Sequence, residues 1–443
     1  MSAVLAPDAP ATIASLAARS LARVWHPCTQ MARATRTPPL ALARGEGPWL
    51  FDTDGRRYFD AISSWWVNLF GHSDPDLRAA ITRQLDTLPH AMLAGCTHEP
   101  VVRLAERLCV RTGNALVHAS FGSDGASAVE IALKQSFHAW RNQGQAGKRG
   151  FVCLRRGYHG ETLGALSVTD VALFRDAYDP LLLRSHVVDA PDSRLDNEDA
   201  ALAAMAELLA READRLAAVL VEPLVQAAAG MVMHSPHYLR ELRRLCTAHG
   251  VHLIADEIAV GCGRTGRFFA WSHTEPTRCA DWPDFLLLSK GITGGTLPLS
   301  VVLSNEAVFQ AFWSDDPARG FLHSHSYTGN PLACAAANAV LDRFDAGQEA
   351  RNAEQAVWLA EAFAPLHGDP RVAQLRQRGT LLAFDVPDAG ADFAERFHRA
   401  ARERELLIRP IGHTVYLMPP YLISPSNSAW LAGAVTATLD DVV

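Results

Sequence analysis

Lysine is nearly missing from this chain of 443 residues: of 41 basic residues only Lys134, Lys148 and Lys290 are lysines, and the rest are arginines. Codon bias accounts for the skew. Its consequence is that any chemistry needing a side-chain amine has three candidates. Paired cysteines are missing too. The eight cysteines are scattered with no Cys-x-x-Cys spacing, which argues against a disulfide framework or a zinc site and for a reducing cytoplasm. No stretch approaches the ~18 uninterrupted apolar residues of a membrane span. The N-terminal MSAVLAPDAPATIASLAARSLARVWHP has no basic start followed by an apolar run and cleavage site, so it reads as a loose leader into a first helix. A net charge of −7 without a long basic run leaves no footprint for nucleic acid or an anionic membrane. Small-molecule chemistry is the class that remains.

The length exceeds the ~250–300 residues at which one hydrophobic core stops growing, so at least two packed units are expected. From about residue 75, strand-like and helix-like patterns alternate, as in a mostly parallel sheet covered by helices, an α/β arrangement. DPDLRAAITRQLDTL places Leu77, Ile81, Leu85 and Leu88 at helical spacing. FVCL (151–154), LAAVLVEP (216–223), VHLIADEI (251–258) and DFLLLSK (284–290) are continuous apolar runs of the kind buried on both faces. Between two of them PHYLRELRRLCTAHG puts Leu239, Leu242 and Cys246 on one helix face and stops at Gly250, completing a βαβ unit. Beyond about residue 335, long Ala/Arg/Glu helices and the strand LLAFDV predict a smaller α+β C-terminal domain. The expected division is an N-terminal segment, 1–60, joining that small domain and the active site, a large domain, 61–335, and the small domain, 336–443.

Four elements carry chemistry. Lys290 leaves an apolar strand directly into the turn GITGG, and in open α/β sheets ligands bind beyond the carboxyl ends of strands. A lysine desolvated there has a lowered pKa and attacks carbonyl carbon; the plain alternative is a strand-end lysine reaching solvent. In LIADEIAVGCGRTG, Asp256 ends another strand. Such a buried carboxylate needs a cation, either a pyridinium nitrogen or Arg264. FGSDGASAVEIALKQ runs a small polar loop into a helix, so Gly125 and Ala126 offer backbone amides to a phosphate, or Ser123 or Asp124 simply caps the helix. RRGYHGETLG offers Tyr158 or His159 to stack on a planar group.

Taken together, the phosphate loop, GYHGET, VEPLVQAAAGM, IADEIAVGCGRTG, SKGITGG and HSHSYTGNPLACAAA stand in the order found in class III aminotransferases, and the chain resembles that family from about residue 20 onward. The resemblance implies fold type I, pyridoxal phosphate as cofactor and a homodimer with active sites at the interface. It makes Lys290 the catalytic lysine that binds the cofactor covalently, Asp256 the partner of the ring nitrogen, and Tyr158 a ring-side contact on cofactor and substrate. Ser326 would reach the phosphate from the other subunit. WHPCTQ, ISSWWVNLFGH and LIRPIGHTVYLMPPY resemble the branch that aminates 8-amino-7-oxononanoate to 7,8-diaminononanoate in biotin biosynthesis. That resemblance implies substrate contacts from Trp65, Trp66, Ser324, Arg409 and Tyr416, with the indoles as an apolar wall and Arg409 as a clamp on the distant carboxylate.

Two departures bear on the amino donor: Cys28 stands where many members carry tyrosine, and HSHS replaces the commoner His-Gly-Pro-Thr. S-adenosylmethionine and lysine both stay open as donors. Alternatives to this function are a class III transaminase for ω-amino acids, an aminomutase or decarboxylase on the same cofactor, and a non-catalytic cofactor-binding regulator. The last normally needs a basic DNA-binding module, for which the N-terminus has no room.

Overall fold

A computed structural model describes residues 15–443, so the leader expected at the N-terminus lies mostly outside the described residues. The core is a seven-stranded sheet. Its strands are β1 (His118–Gly122), β2 (Gly150–Leu154), β3 (His186–Val188), β4 (Leu216–Val221), β5 (His252–Asp256), β6 (Phe285–Leu288) and β7 (Ser300–Ser304). Their spatial order is β1-β7-β6-β5-β4-β2-β3. All neighbours pair in parallel except β7, which is antiparallel to both β6 and β1. Every residue of β4, β5, β6 and β7 is buried, which explains why most of them read as unbroken apolar runs.

Helix α1 (Gly125–Asn142) follows β1 and packs Ile131, Ala132 and Leu133 on one face of the sheet. Helix α2 (Pro236–Ala248) joins β4 to β5 as expected. Ser235 caps its start ahead of Pro236, Leu239, Leu242 and Cys246 are fully buried, and the chain leaves through Gly250 at φ +61°. The helix Pro75–Thr87 forms as predicted, but its apolar stripe outruns the packing one chain provides. Leu77 is buried, whereas Leu85 is 53 % exposed.

The C-terminal part holds helices Gln348–Phe363, Phe393–Glu403 and Pro425–Val442 around the antiparallel strands Ala373–Arg378, Leu381–Asp385 and Thr414–Leu417. The N-terminal strands Leu42–Glu46, Trp49–Asp52 and Arg57–Asp60 form a meander closed by Leu406–Leu407, which pairs in parallel with Phe59 and Asp60. That pairing brings the two ends of the chain together beside the large sheet. Helix Pro331–Asp345 crosses the expected boundary at 335.

Candidate active site

Strand direction assembles the site. β1, β2, β4, β5 and β6 end at one edge of the sheet, and β7, running the other way, begins there. A cavity of about 590 Å³ lies at this edge. It is lined by residues just past four strand ends, Ser123 to Ala126 after β1, Tyr158 to Glu161 after β2, Glu222 after β4 and Asp256 at the end of β5, and by Lys290 just beyond β6. The segment 295–299 leading into β7 closes the remaining side. Five strand ends separated by up to about 170 residues meet because one sheet carries them all.

Lys290 sits at φ +46°, an uncommon left-handed conformation for a side-chain-bearing residue, which signals a backbone held by its surroundings. Its Nζ has no hydrogen-bond partner among the described residues and lies 5.3 Å from the centre of the Trp66 ring. Burial lowers its amine pKa, and the nearby charges of Asp256 and Glu222 oppose that shift only in part. The other two lysines are occupied elsewhere. Lys148 is buried and donates to the carbonyls of Ala213, Leu216 and Gly250, and Lys134 lies against His323.

Asp256 Oδ2 accepts from His159 Nδ1 at 2.7 Å and Oδ1 from the Ile258 amide at 3.1 Å. The two side chains are 4 % and 1 % exposed. Burial would lower the His159 pKa, but the hydrogen bond and charge of Asp256, with the charge of Glu222, raise it overall. His159 is therefore the residue behind Asp256, which leaves Tyr158 as the aromatic group on the cavity wall. The Asp256–Arg264 pair is not formed. Arg264, fully buried, instead donates to the carbonyls of Pro419 at 2.6 Å and Asn68 at 3.0 Å, tying the C-terminal segment to the loop after the tryptophans.

At the start of α1 the helix cap forms without using the amides that the phosphate reading needs. Asp124 caps the helix by accepting from the Ser127 amide at 2.9 Å, and the amides of Gly125 and Ala126 keep no protein acceptor among the described residues. An 18-residue helix concentrates positive potential there. Gly125 is required by crowding, since a Cβ on it would lie 2.9 Å from Ile258 Cγ2.

The tryptophans occupy an unusual backbone. Ser63, Ser64, Trp65 and Trp66 all have positive φ, between +47° and +74°. At about 1–2 kcal/mol per residue this left-handed turn stores several kcal/mol, which its contacts must offset. Trp66 is buried, and its Nε1 donates to Tyr416 Oη at 3.1 Å. Trp65 is 43 % exposed and is not among the residues lining the Lys290 cavity, with the Arg409 guanidinium 5.2 Å from its ring centre. Arg409 has no carboxylate partner among the described residues. It lines a second cavity of about 580 Å³ with Cys28, His398 and Trp65. Cys28 of this second cavity places its Sγ 3.8 Å from Oε1 of Glu161, which lines the first, and that oxygen also accepts from Tyr158 Oη at 2.9 Å.

Most of the predicted site residues thus meet at one place or beside it, with Tyr416 behind Trp66 as a support. Ser324 and Ser326 do not join the cavity of their own chain; both are exposed, on a segment whose His325 bonds to Ser123 Oγ at 3.0 Å. Glu222 was not foreseen as a site residue. It accepts from the amides of Tyr158 and Ala227, both at 3.1 Å, and burial raises its pKa to about 7. Its mark in the sequence is the same as that of Asp256, an acid closing an apolar strand.

The family model described as "Aminotransferase class-III" matches residues 30–439. Two curated relatives named "Adenosylmethionine-8-amino-7-oxononanoate aminotransferase" are each 39 % identical to this chain. The protein from Helicobacter pylori aligns over 97 % of this chain and 98 % of its own length. The one from Synechococcus elongatus aligns over 95 % and 99 %. Among solved structures, the enzyme of the same name from Methanocaldococcus jannaschii superposes with a TM-score of 0.91 at 31 % identity, covering 96 % of this chain and 99 % of that one. A PLP-bound amine transaminase from an uncultivated Pseudomonas species gives 0.87 at 31 %, covering 95 % and 99 %.

Proposed function

This chain belongs to the class III aminotransferases, and from that premise we propose that it transfers an amino group from S-adenosylmethionine to 8-amino-7-oxononanoate, giving 7,8-diaminononanoate for biotin synthesis. Its cofactor is pyridoxal phosphate, which supplies a carbonyl carbon for amine exchange and a protonated ring that accepts electrons. The residues fit that group: an unpartnered buried amine, a carboxylate at a strand end and free amides at a long helix's start surround one cavity.

In this reading Lys290 would hold the cofactor's carbonyl carbon until the donor's amine displaces it, and the freed Nζ would then take the proton from the donor's amine-bearing carbon. Its lowered pKa raises the fraction that is neutral and able to do so. Asp256, oriented by His159, keeps the ring nitrogen protonated. The amides of Gly125 and Ala126 hold the phosphate, joined by Ser326 of the partner subunit, and Tyr158 lies along the ring. The homodimer this requires is supported by the apolar surface a single chain leaves open, including Leu85, Met92, Leu322 and Tyr327. The division at 60 and 335 into N-terminal segment, large domain and small domain belongs to the same reading. A cytoplasmic location accords with eight unpaired cysteines.

The observation that carries the acceptor assignment is the arrangement of the two adjacent tryptophans. Trp66 faces Lys290, and Trp65 lies under the unpaired Arg409 guanidinium. An acceptor with a ketone at one end and a carboxylate at the other can span them, its methylenes on indole and its carboxylate on Arg409. The test is to offer purified enzyme 8-amino-7-oxononanoate with S-adenosylmethionine or lysine separately, following the cofactor's absorbance. Formation of 7,8-diaminononanoate with S-adenosylmethionine is expected. Conversion of 4-aminobutyrate but not of 8-amino-7-oxononanoate would overturn the assignment.

A further inference from the structure

The left-handed turn Ser63–Trp66 contains no glycine, so something outside it must impose its conformation. The contacts converge on Asp60. This carboxylate is fully buried at the end of strand Arg57–Asp60, where the N-terminal meander meets Leu407. Its Oδ1 accepts from the Ser64 amide at 2.9 Å and its Oδ2 from Ser64 Oγ at 2.6 Å. His72 Nε2 lies 3.0 Å from Oδ2, and His72 Nδ1 lies 3.1 Å from the Asn68 side-chain amide nitrogen. Since that Asn68 group can only donate, His72 Nδ1 is the acceptor and Nε2 carries the proton given to Asp60. Asn68 is fixed in turn by the Gly71 amide, 2.7 Å from its Oδ1, and by Arg264 at its carbonyl. Ser63 Oγ donates to the Met418 carbonyl at 2.7 Å, closing the turn from the C-terminal side.

Asp60 accepts from the Ser64 amide and hydroxyl and pairs with His72, and among the described residues it makes no hydrogen bond with Lys290, Asp256 or the start of α1. Its side-chain contacts are thus with the turn that carries the two indoles and with the histidine that orients it. We propose that Asp60, oriented by His72, is a positioning residue for the acceptor: by binding both polar groups of Ser64 it holds the left-handed turn that directs Trp66 toward Lys290 and Trp65 toward Arg409. The inference rests on the acceptor reading above for its functional consequence, but its structural content does not depend on which acceptor is used. Without the clamp the turn relaxes toward ordinary negative φ, and the indoles no longer flank a straight path between amine and guanidinium. Binding of an extended acceptor weakens while the chemistry at Lys290 persists.

The test compares Asp60→Asn and the milder His72→Gln with the unmodified holoenzyme. For both, the absorbance of bound cofactor and the single-turnover rate with a short primary amine should stay within about twofold, while KM for the acceptor rises about tenfold or more for Asp60→Asn and less for His72→Gln. Hydrogen exchange followed by mass spectrometry should show lost protection confined to peptides spanning residues 62–69. Unchanged KM with unchanged protection would overturn the proposal. So would an equal fall in the short-amine rate, which would mark a general loss of structure. If Asp60→Asn does not fold, His72→Gln carries the same readouts. Should the unmodified enzyme reject 8-amino-7-oxononanoate, the acceptor reading fails alone, and the exchange measurement still decides whether Asp60 holds the turn.

Discussion

Replacing His159 with alanine removes the buried imidazole that donates to Asp256 and leaves the carboxylate with one protein donor, the Ile258 amide at 3.1 Å. Both partners are nearly inaccessible, at 1 % and 4 % exposure, so water cannot take over the lost contact. Breaking a buried pair by removing one member costs about 3–5 kcal/mol, or about two to four powers of ten in the folding equilibrium. The assay is urea unfolding of the cofactor-free protein, read by circular dichroism and tryptophan fluorescence, in a cycle with Asp256→Asn and the double variant. The double variant should be less destabilised than the sum of the single changes by about 2 kcal/mol or more. The pH dependence has a definite sign. The folded His159 pKa is raised above its unfolded value near 6.5, so the coupling is fully present below that value and is lost as pH rises through the folded pKa. A His159→Ala cost below about 1 kcal/mol, or simple additivity in the cycle, would refute the account of this pair.

Other outcomes follow from the same geometry. The Glu222 pKa is raised by burial from 4.5 to about 7, so ionising it opposes folding and the cofactor-free protein loses stability as pH climbs through that interval. Glu222→Gln should remove that slope, a difference of about 3 kcal/mol between pH 4.5 and 7 measured by urea unfolding. Gly125→Val puts a side chain where a Cβ already lies 2.9 Å from Ile258 Cγ2, and displacing the amides should weaken cofactor binding about tenfold or more by fluorescence titration. Tyr416→Phe strands the buried Trp66 Nε1–H and should lower stability by about 1–3 kcal/mol without altering the cofactor spectrum.

Much of the site was legible because strand ends announce themselves. Lys290 and Asp256 each close an unbroken apolar run, and a sheet of parallel strands brings such ends to one edge. The scarcity of lysine narrowed the amine to three positions before any geometry was known. β1 and β7 were less visible. HASFG is short and polar enough to pass for a loop, and SVVLS does not disclose that it runs against its neighbours. Periodicity also could not say which of Tyr158 and His159 faces the cavity and which lies behind Asp256, because adjacent residues after a strand can turn either way. The alternative of Arg264 as a cation for Asp256 failed for a related reason: a guanidinium has five donors, and backbone carbonyls of two distant segments took up its terminal nitrogens instead. The turn at Ser63–Trp66 left no trace, since left-handed backbone is normally signalled by glycine and here is imposed by a carboxylate outside it. Its clamp joins residues twelve apart through a histidine, a pairing that no helical or strand repeat encodes.

The central claim is that Lys290 is the amine on which the cofactor is carried. Purified enzyme saturated with pyridoxal phosphate, reduced with sodium borohydride and digested, should yield one cofactor-labelled peptide, the one containing Lys290. The cofactor's absorbance in the visible should be absent from Lys290→Ala. Label on Lys134 or Lys148, or a normal spectrum in the Lys290→Ala variant, would contradict the account.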